Sequence, residues 1–217
     1  MKNKRVFGYF EVIFDLAYLC AVCAIGIWIL YHADSTPQIL AGTMALILAG
    51  GDAFHLIPRI NVVLTGKEAR FQKALGFGKF ITSISMTVFY VLLWHVGRLL
   101  CFPEAGMIWT IIVYLLAALR IILCFFPQNK WFERKQPENW GIYRNIPFFL
   151  LGVMEIIFFG AYRTGLAAFE WLWLAILLSF LFYLPVVLWV NKSSKLGMLM
   201  FPKTLAYIWI VVMFLSV

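Results

Sequence analysis

The chain has 217 residues and a formal net charge of +8, with 64% hydrophobic and only 13% charged residues. A water-soluble protein of this size needs a polar surface that so few charges cannot supply, so a soluble domain is excluded. The composition predicts an integral membrane protein. In such a protein the positive charge reflects topology and contact with anionic membrane lipid, and nucleic acid is not expected as a partner.

Seven apolar segments are long enough to cross a bilayer as helices, which takes about 20 residues each. In chain order they run over about 6–31, 38–60, 76–98, 107–126, 143–162, 168–190 and 198–217. The links between them are too short to hold a soluble domain. We therefore expect an all-α, polytopic transmembrane bundle of about seven helices, formed as a single domain over residues 1–217.

The basic residues are distributed unevenly between the two sides of such a bundle. Sixteen of the eighteen Lys and Arg residues lie at the N-terminus or near the links after the second, fourth and sixth helices. Arg98 and Arg163 are the two on the other side. Because cytosolic segments are enriched in Lys and Arg, this split predicts a cytosolic N-terminus and an outer C-terminus in the cytoplasmic membrane.

Two pairs of segments resemble each other along the chain. Residues 10–18 (FEVIFDLAY) of the first helix resemble residues 154–162 (MEIIFFGAY) of the fifth. Residues 77–79 (FGK) open the third helix much as residues 201–203 (FPK) open the seventh. Since helices 1–3 and 5–7 share their orientation, a 3+1+3 parallel repeat is compatible with the predicted topology.

Ionisable side chains inside membrane spans are costly, so each needs a partner or a role. Their spacing places Glu11, Asp15 and Tyr18 on one helix face, and Asp52, His55 and Arg59 on another. With the N-terminus in the cytosol, polar groups from six helices fall in the cytosolic half of the bundle: Glu11, Asp15, Asp52, His55, Arg59, Lys79, Ser83, Arg120, Arg144 and Lys203. This convergence predicts a hydrated cavity that opens toward the cytosol.

Two features of the second helix are expected to shape that cavity. Gly50 and Gly51 precede Asp52, so a neighbouring backbone is able to approach closely. Pro58 is expected to break the helix just before its end and to free carbonyl groups that face the cavity.

The histidines do not indicate a metal site. His32 and His95 are predicted near the outer side, whereas His55 is predicted near the cytosolic side, so the three cannot meet around one ion. Lys203 lies only about six residues into its helix, and the third helix has no carboxylate, which argues against a retinal Schiff base. We therefore expect no metal and no cofactor.

The segment Gly51-Asp-Ala-Phe-His-Leu-Ile-Pro-Arg59 resembles the G-D-A-x-x-L-x-P-R segment of the YhhN family of lysoplasmalogenases. Residues 76–80 (GFGKF) and 89–90 (FY) loosely echo the apolar helix that follows it in that family. The resemblance implies a multi-spanning enzyme that hydrolyses the vinyl ether of a lysolipid. The family also has a carboxylate in a late helix. Here residues 179–180 read Ser-Phe, so Asp15 or Glu11 would take that role.

The implied reaction needs an acid that protonates the β-carbon of the vinyl ether and a base that delivers water to the oxocarbenium ion. Asp52 is the candidate acid, and Asp15 or His55 is the candidate base. Cations near the inner membrane surface are expected to hold the lipid phosphate. The candidate binding residues are Glu11, Arg59, Lys79, Ser83, Arg144 and Lys203.

Two other classes of function are compatible with the same residues. One is a transporter for a small anion or zwitterion, because the bundle interior is charged. The almost wholly apolar sixth helix counts against an open pore but not against alternating access. The other is a non-catalytic sensor or lipid-binding protein of the membrane.

Overall fold

The described part of the chain is a bundle of seven α-helices without a strand. The structure is a computed structural model that describes residues 2–162, 169–189 and 194–216, apart from the side chains of residues 2–6, 194 and 195. The helices are α1 (Lys2–Tyr31), α2 (Thr36–Thr65), α3 (Glu68–Leu100), α4 (Met107–Phe125), α5 (Glu138–Ala161), α6 (Leu172–Trp189) and α7 (Met200–Met213). Short 3₁₀ turns occupy Pro127–Asn129, Ser194–Leu199 and Phe214–Ser216.

Each of the seven helices is long and apolar enough to cross a membrane, when α7 is taken together with its flanking turns as Leu196–Ser216. Helices are the expected form of such segments because lipid offers no partner for backbone N–H and C=O groups, which must then bond within the segment. The predicted class, an all-α multi-pass membrane protein with about seven spans, is confirmed.

Several helices are longer than their apolar segments. The link expected over residues 61–75 is itself mostly helical, and its turn is confined to Gly66 and Lys67. Gly66 ends α2 with a φ of 70°, a conformation that favours glycine, and its N–H bonds to the carbonyl of Val62. Charged residues end an apolar span but not a helix, because outside lipid they still favour helical backbone.

Pro58 does not break α2, which continues to Thr65. The expectation that it frees carbonyls toward a cavity is wrong. A proline leaves the carbonyl four residues before it without its helical partner, and in α2 this is the carbonyl of Phe54. That carbonyl packs against Gly78 of α3, where an added Cβ atom would clash with it. The carbonyl that Pro58 frees therefore faces the neighbouring helix.

α3 runs through the centre of the bundle. Its Tyr90 ring packs 5.1 Å from the ring of Phe148 on α5 and 5.3 Å from that of Phe180 on α6. Phe89 packs 5.7 Å from Tyr207 on α7. α1 and α7 are also in contact, since the ring centroids of Phe14 and Phe201 lie 5.0 Å from each other. The helix ends that carry the candidate residues of α1, α2 and α7 are thereby brought to one region.

The similar segments of α1 and α5 lie in different surroundings. Glu11 forms an ion pair, whereas Glu155 is fully buried. Tyr18 is buried, whereas Tyr162 is 44% exposed. The repeat stays a prediction. Arg163, one of the two outer cations, lies outside the described residues, as does the adjoining stretch to residue 168.

Another cation behind the predicted orientation, Lys192, lies outside the described residues. Of Lys2, Lys4, Arg5 and Lys195 the structure describes the backbone but not the side chain. The cytosolic N-terminus and the outer C-terminus stay predictions.

Candidate functional site

A short hydrogen bond joins α1 to α2 inside the bundle. The hydroxyl of Tyr18 donates to Oδ2 of Asp52 at 2.6 Å. Tyr18 is fully buried, and Asp52 is partly buried. Gly51 lets α3 approach the same turn of α2, where Thr82 donates to the Gly51 carbonyl at 2.9 Å. Tyr18 therefore bonds to the carboxylate that was predicted to be central, and Thr82 bonds to the backbone next to it.

The two helix faces predicted from spacing meet each other. Arg59 of α2 donates to Glu11 of α1 at 2.6 Å and 3.4 Å, one bond to each carboxylate oxygen. One turn further along α1, Asp15 is only 8% exposed. It lies within electrostatic reach of Glu11, Arg59 and Asp52 but forms no hydrogen bond with a described residue. Asp15 and Asp52 therefore lie within electrostatic reach of each other.

Lys203 brings α7 into the same site. It is 7% exposed, and its Nζ atom lies 4.8 Å from the ring centroid of Tyr207 and 5.0 Å from that of Tyr183. It interacts electrostatically with Asp52. We call Asp15, Tyr18, Asp52 and Lys203 the inner site.

Lys79, Ser83 and Arg144 do not join the inner site. Arg144 donates to Oδ1 of Asn129 at 2.9 Å and lies over the ring of Trp131 at 4.2 Å. Lys79 is exposed and lies within electrostatic reach of Arg144. The Ser83 hydroxyl donates to the carbonyl of Lys79 on its own helix at 2.8 Å. These residues form a second group near the link between α4 and α5.

His55 lies between the two groups. It is partly buried and lies within electrostatic reach of Arg59, Lys79 and Lys203. Its Nδ1 atom is buried and has no hydrogen-bond partner among the described residues. The structure therefore places it among cations rather than against the carboxylate of Asp52.

A hydrogen-bonded cluster that the sequence analysis missed lies behind the inner site. The hydroxyl of Tyr90 lies 3.1 Å from that of Ser179 and donates to that of Tyr207 at 3.4 Å. Ser179 donates to the carbonyl of Ile176 at 2.7 Å. A signal was present, because a buried Tyr hydroxyl needs a partner and Ser179 interrupts an otherwise apolar helix.

Two further buried groups were not among the candidate catalytic or binding residues, although Arg120 was expected in the cytosolic half of the bundle. Arg120 of α4 is 2% exposed, and its Nε atom and one terminal nitrogen have no partner among the described residues. Glu155 of α5 is fully buried, and neither of its carboxyl oxygens has a partner there. Both lie in apolar helices, where an isolated charge is the signal for a functional or paired residue.

Among the described residues, no three His, Cys, Asp or Glu side chains lie close enough together to bind one metal ion. The inner site itself offers two carboxyl groups, a phenol and an ammonium group. Such a set is able to move protons and to bind an anion.

Comparison with protein-family models, with curated proteins and with solved structures found no match for this chain. The residues of the chain indicate an integral, multi-pass membrane protein with seven helices long enough to span a bilayer and a polar site between α1, α2 and α7.

Proposed function

We propose that the protein is a hydrolase of the lysoplasmalogenase type, which cleaves the vinyl ether of a lysolipid at the inner site. One observation carries the proposal. Asp52, the acidic residue of the segment that resembles the YhhN family, accepts a hydrogen bond from Tyr18 and lies within electrostatic reach of a second carboxyl group, Asp15. Two such carboxyl groups in an apolar bundle supply the acid and the base that cleavage of a vinyl ether needs.

The reaction consumes one water molecule and needs no redox partner. The acid transfers a proton to the β-carbon of the vinyl ether, which leaves an oxocarbenium ion. The base removes a proton from water as its oxygen attacks the α-carbon. The hemiacetal then breaks its C–O bond to give a fatty aldehyde and the free hydroxyl of the glycerophospho group, and the proton taken up by the base returns to the acid.

The surroundings of the two carboxyl groups suit different roles. Asp52 accepts a hydrogen bond from Tyr18 and interacts with Lys203, and both contacts favour the ionised form that a base needs. Asp15 is buried and has no hydrogen bond to a described residue, so it is free to carry the proton. We therefore propose Asp15 as the acid and Asp52 as the base, the reverse of the assignment suggested by the resemblance alone.

The experiment measures fatty aldehyde released from a 1-alkenyl lysolipid by the purified full chain in detergent. Because general acids and bases each contribute about 10²- to 10⁴-fold, Asp52→Asn and Asp15→Asn should each lower the rate by at least about 10²-fold. Asp34→Asn is the matched control, since Asp34 is exposed in the link between α1 and α2, and its rate should not change. Undiminished turnover by Asp52→Asn would remove the proposal.

A specific observation keeps transport of a small anion as a second candidate. The Tyr90–Ser179–Tyr207 cluster continues the polar groups of the inner site into the bundle. A cleft of about 540 Å³ lies at the other end of α3, lined in part by His95 and Arg98. Uptake of a labelled anion by liposomes that contain the protein, without any aldehyde release, would favour this reading.

A further inference from the structure

Arg120 is buried in a way that leaves part of its hydrogen-bonding capacity unused. The Cζ atom of its guanidinium group lies 3.3 Å from the ring centroid of Phe148. This contact stabilises the positive charge through the face of the ring, but it satisfies none of the N–H donors. The Nε atom and one terminal nitrogen are buried without a hydrogen-bond partner among the described residues.

A second buried cation lies nearby. The ring of Phe148 under Arg120 lies 6.1 Å, centroid to centroid, from the ring of Tyr183, and the Nζ atom of Lys203 lies 5.0 Å from that second ring. Arg120 of α4 and Lys203 of α7 also interact electrostatically. The three ion pairs formed within the described ranges use Glu11, Glu133 and Glu68, so neither of these two cations belongs to one. Asp52 is a counter-charge within electrostatic reach of Lys203, whereas no carboxylate of the described residues interacts electrostatically with Arg120.

Two neighbouring cations in a membrane interior repel each other, and each loses its hydration. An anion with at least two oxygen atoms would remove both costs. A guanidinium group binds such an anion through two parallel N–H donors, and an ammonium group adds a third contact. We infer that Arg120 and Lys203, with Tyr183 and Phe148 as walls, form a buried site that binds a phosphate-type anion.

The anion has two sources with the same chemistry. One is the headgroup phosphate of a lysolipid, and the other is free phosphate from the solvent. The inference rests on the proposed function only for the first source, in which the headgroup would sit beside the two carboxyl groups that act on the ether. The site itself is a matter of binding and does not require turnover.

The experiment measures binding by the full chain in an uncharged detergent. Inorganic phosphate is titrated in one arm, and a lysolipid with a terminal phosphate and a saturated, uncleavable ether in the other. Saturable binding of either probe supports the site, and the probe that binds more tightly identifies the source. Binding of neither probe overturns the inference.

Variants then locate the bound anion. Truncating one partner of a buried charge pair weakens binding by about thirtyfold or more, so Arg120→Met and Lys203→Met should each raise the Kd by that factor. Arg120→Lys keeps the charge but loses the paired donors, and its Kd should rise by about tenfold. The matched control is Arg134→Gln, since Arg134 is exposed and already donates to Glu68 at 3.1 Å, and its Kd should stay unchanged.

A purely structural role for Arg120 predicts a different result in the ligand-free protein. If Arg120 awaits an anion, Arg120→Met removes an uncompensated buried charge and should not lower the unfolding temperature. If Arg120 only stabilises the fold, the temperature should fall, and a variant that fails to fold counts equally against the inference. Aldehyde release is measured separately. Anion binding without aldehyde release would contradict the proposed hydrolase function but would still support the anion site.

Discussion

Glu155 is the most isolated charge-bearing side chain among the described residues. It is fully buried in α5, and both of its carboxyl oxygens lack hydrogen-bond partners there. Tyr90, a member of the hydrogen-bonded cluster behind the inner site, lies within electrostatic reach of it. A buried polar group without a partner costs free energy, so its presence indicates a role that stability alone does not explain.

We expect Glu155→Met to stabilise the protein. Met fills a similar volume without a polar atom, and an unsatisfied buried group costs about 1–3 kcal/mol, so the free energy of unfolding should rise by a similar amount. Ser179→Ala is the contrasting variant, since it removes a satisfied bond to Tyr90 and should lower stability by about 0.5–1.5 kcal/mol. Thermal unfolding in one detergent compares the two. A loss of stability in Glu155→Met would mean that Glu155 has a partner in the membrane.

At the residue scale, spacing predicted which side chains share a face of α1 or of α2. It did not predict how the cations are grouped. Glu11 and Arg59 meet because each lies on the polar face of its helix. Lys79 follows Gly78, which packs against α2, and the next residue of a helix points about 100° away. Lys79 therefore projects away from Asp52, and only the packing of α3 on α2 reveals this.

At the scale of helices, the α2–α3 pair depends on glycine. A Cβ atom at Gly78 would clash with the carbonyl of Phe54 and approach Cα of His55 to 2.6 Å. At Gly51 it would clash with the Ser85 side chain. The two backbones are thus close enough for Thr82 to reach the Gly51 carbonyl. Small residues that allow this approach are the usual means of joining helices in lipid.

Gly78→Ala should therefore push α3 away from α2. The clash is with backbone, which cannot move aside as a flexible side chain would, so we expect destabilisation by about 1–3 kcal/mol. Gly50→Ala is the matched control, because a Cβ atom there meets nothing within 4 Å. That variant should be as stable as the original protein or slightly more so. Equal stability of the two variants would contradict the close packing.

The number of spans was predictable, whereas the helix ends and the role of Pro58 were not. An apolar run of about 20 residues must be helical in lipid, whatever its neighbours are. Where a helix ends outside lipid depends on local groups such as the left-handed Gly66. Whether a carbonyl freed by proline faces a cavity or another helix depends on tertiary packing. The spacing of residues along one helix does not predict that packing.

At the scale of the whole molecule, charge separates the two ends of the bundle. The links that follow α2 and α4 carry exposed cations, among them Lys67, Arg134 and Lys135. The links that follow α1 and α3 carry the exposed acids Asp34 and Glu104. Because consecutive spans alternate in direction, these two sets of links lie on opposite sides of the membrane. The basic set is expected on the cytosolic side.

Single cysteines test this orientation and the helix count together. In a variant whose native cysteines are replaced by alanine, Asp34→Cys and Glu104→Cys should react with a membrane-impermeant maleimide in intact cells. Lys67→Cys and Lys135→Cys should react only after the membrane is permeabilised, since their links are held in the cytosol by positive charge. A fully inverted pattern would reverse the orientation and place the inner site near the outer surface. If Lys67→Cys and Glu104→Cys reacted from the same side, α3 would not cross the membrane as a single span. That result would contradict the seven-helix topology.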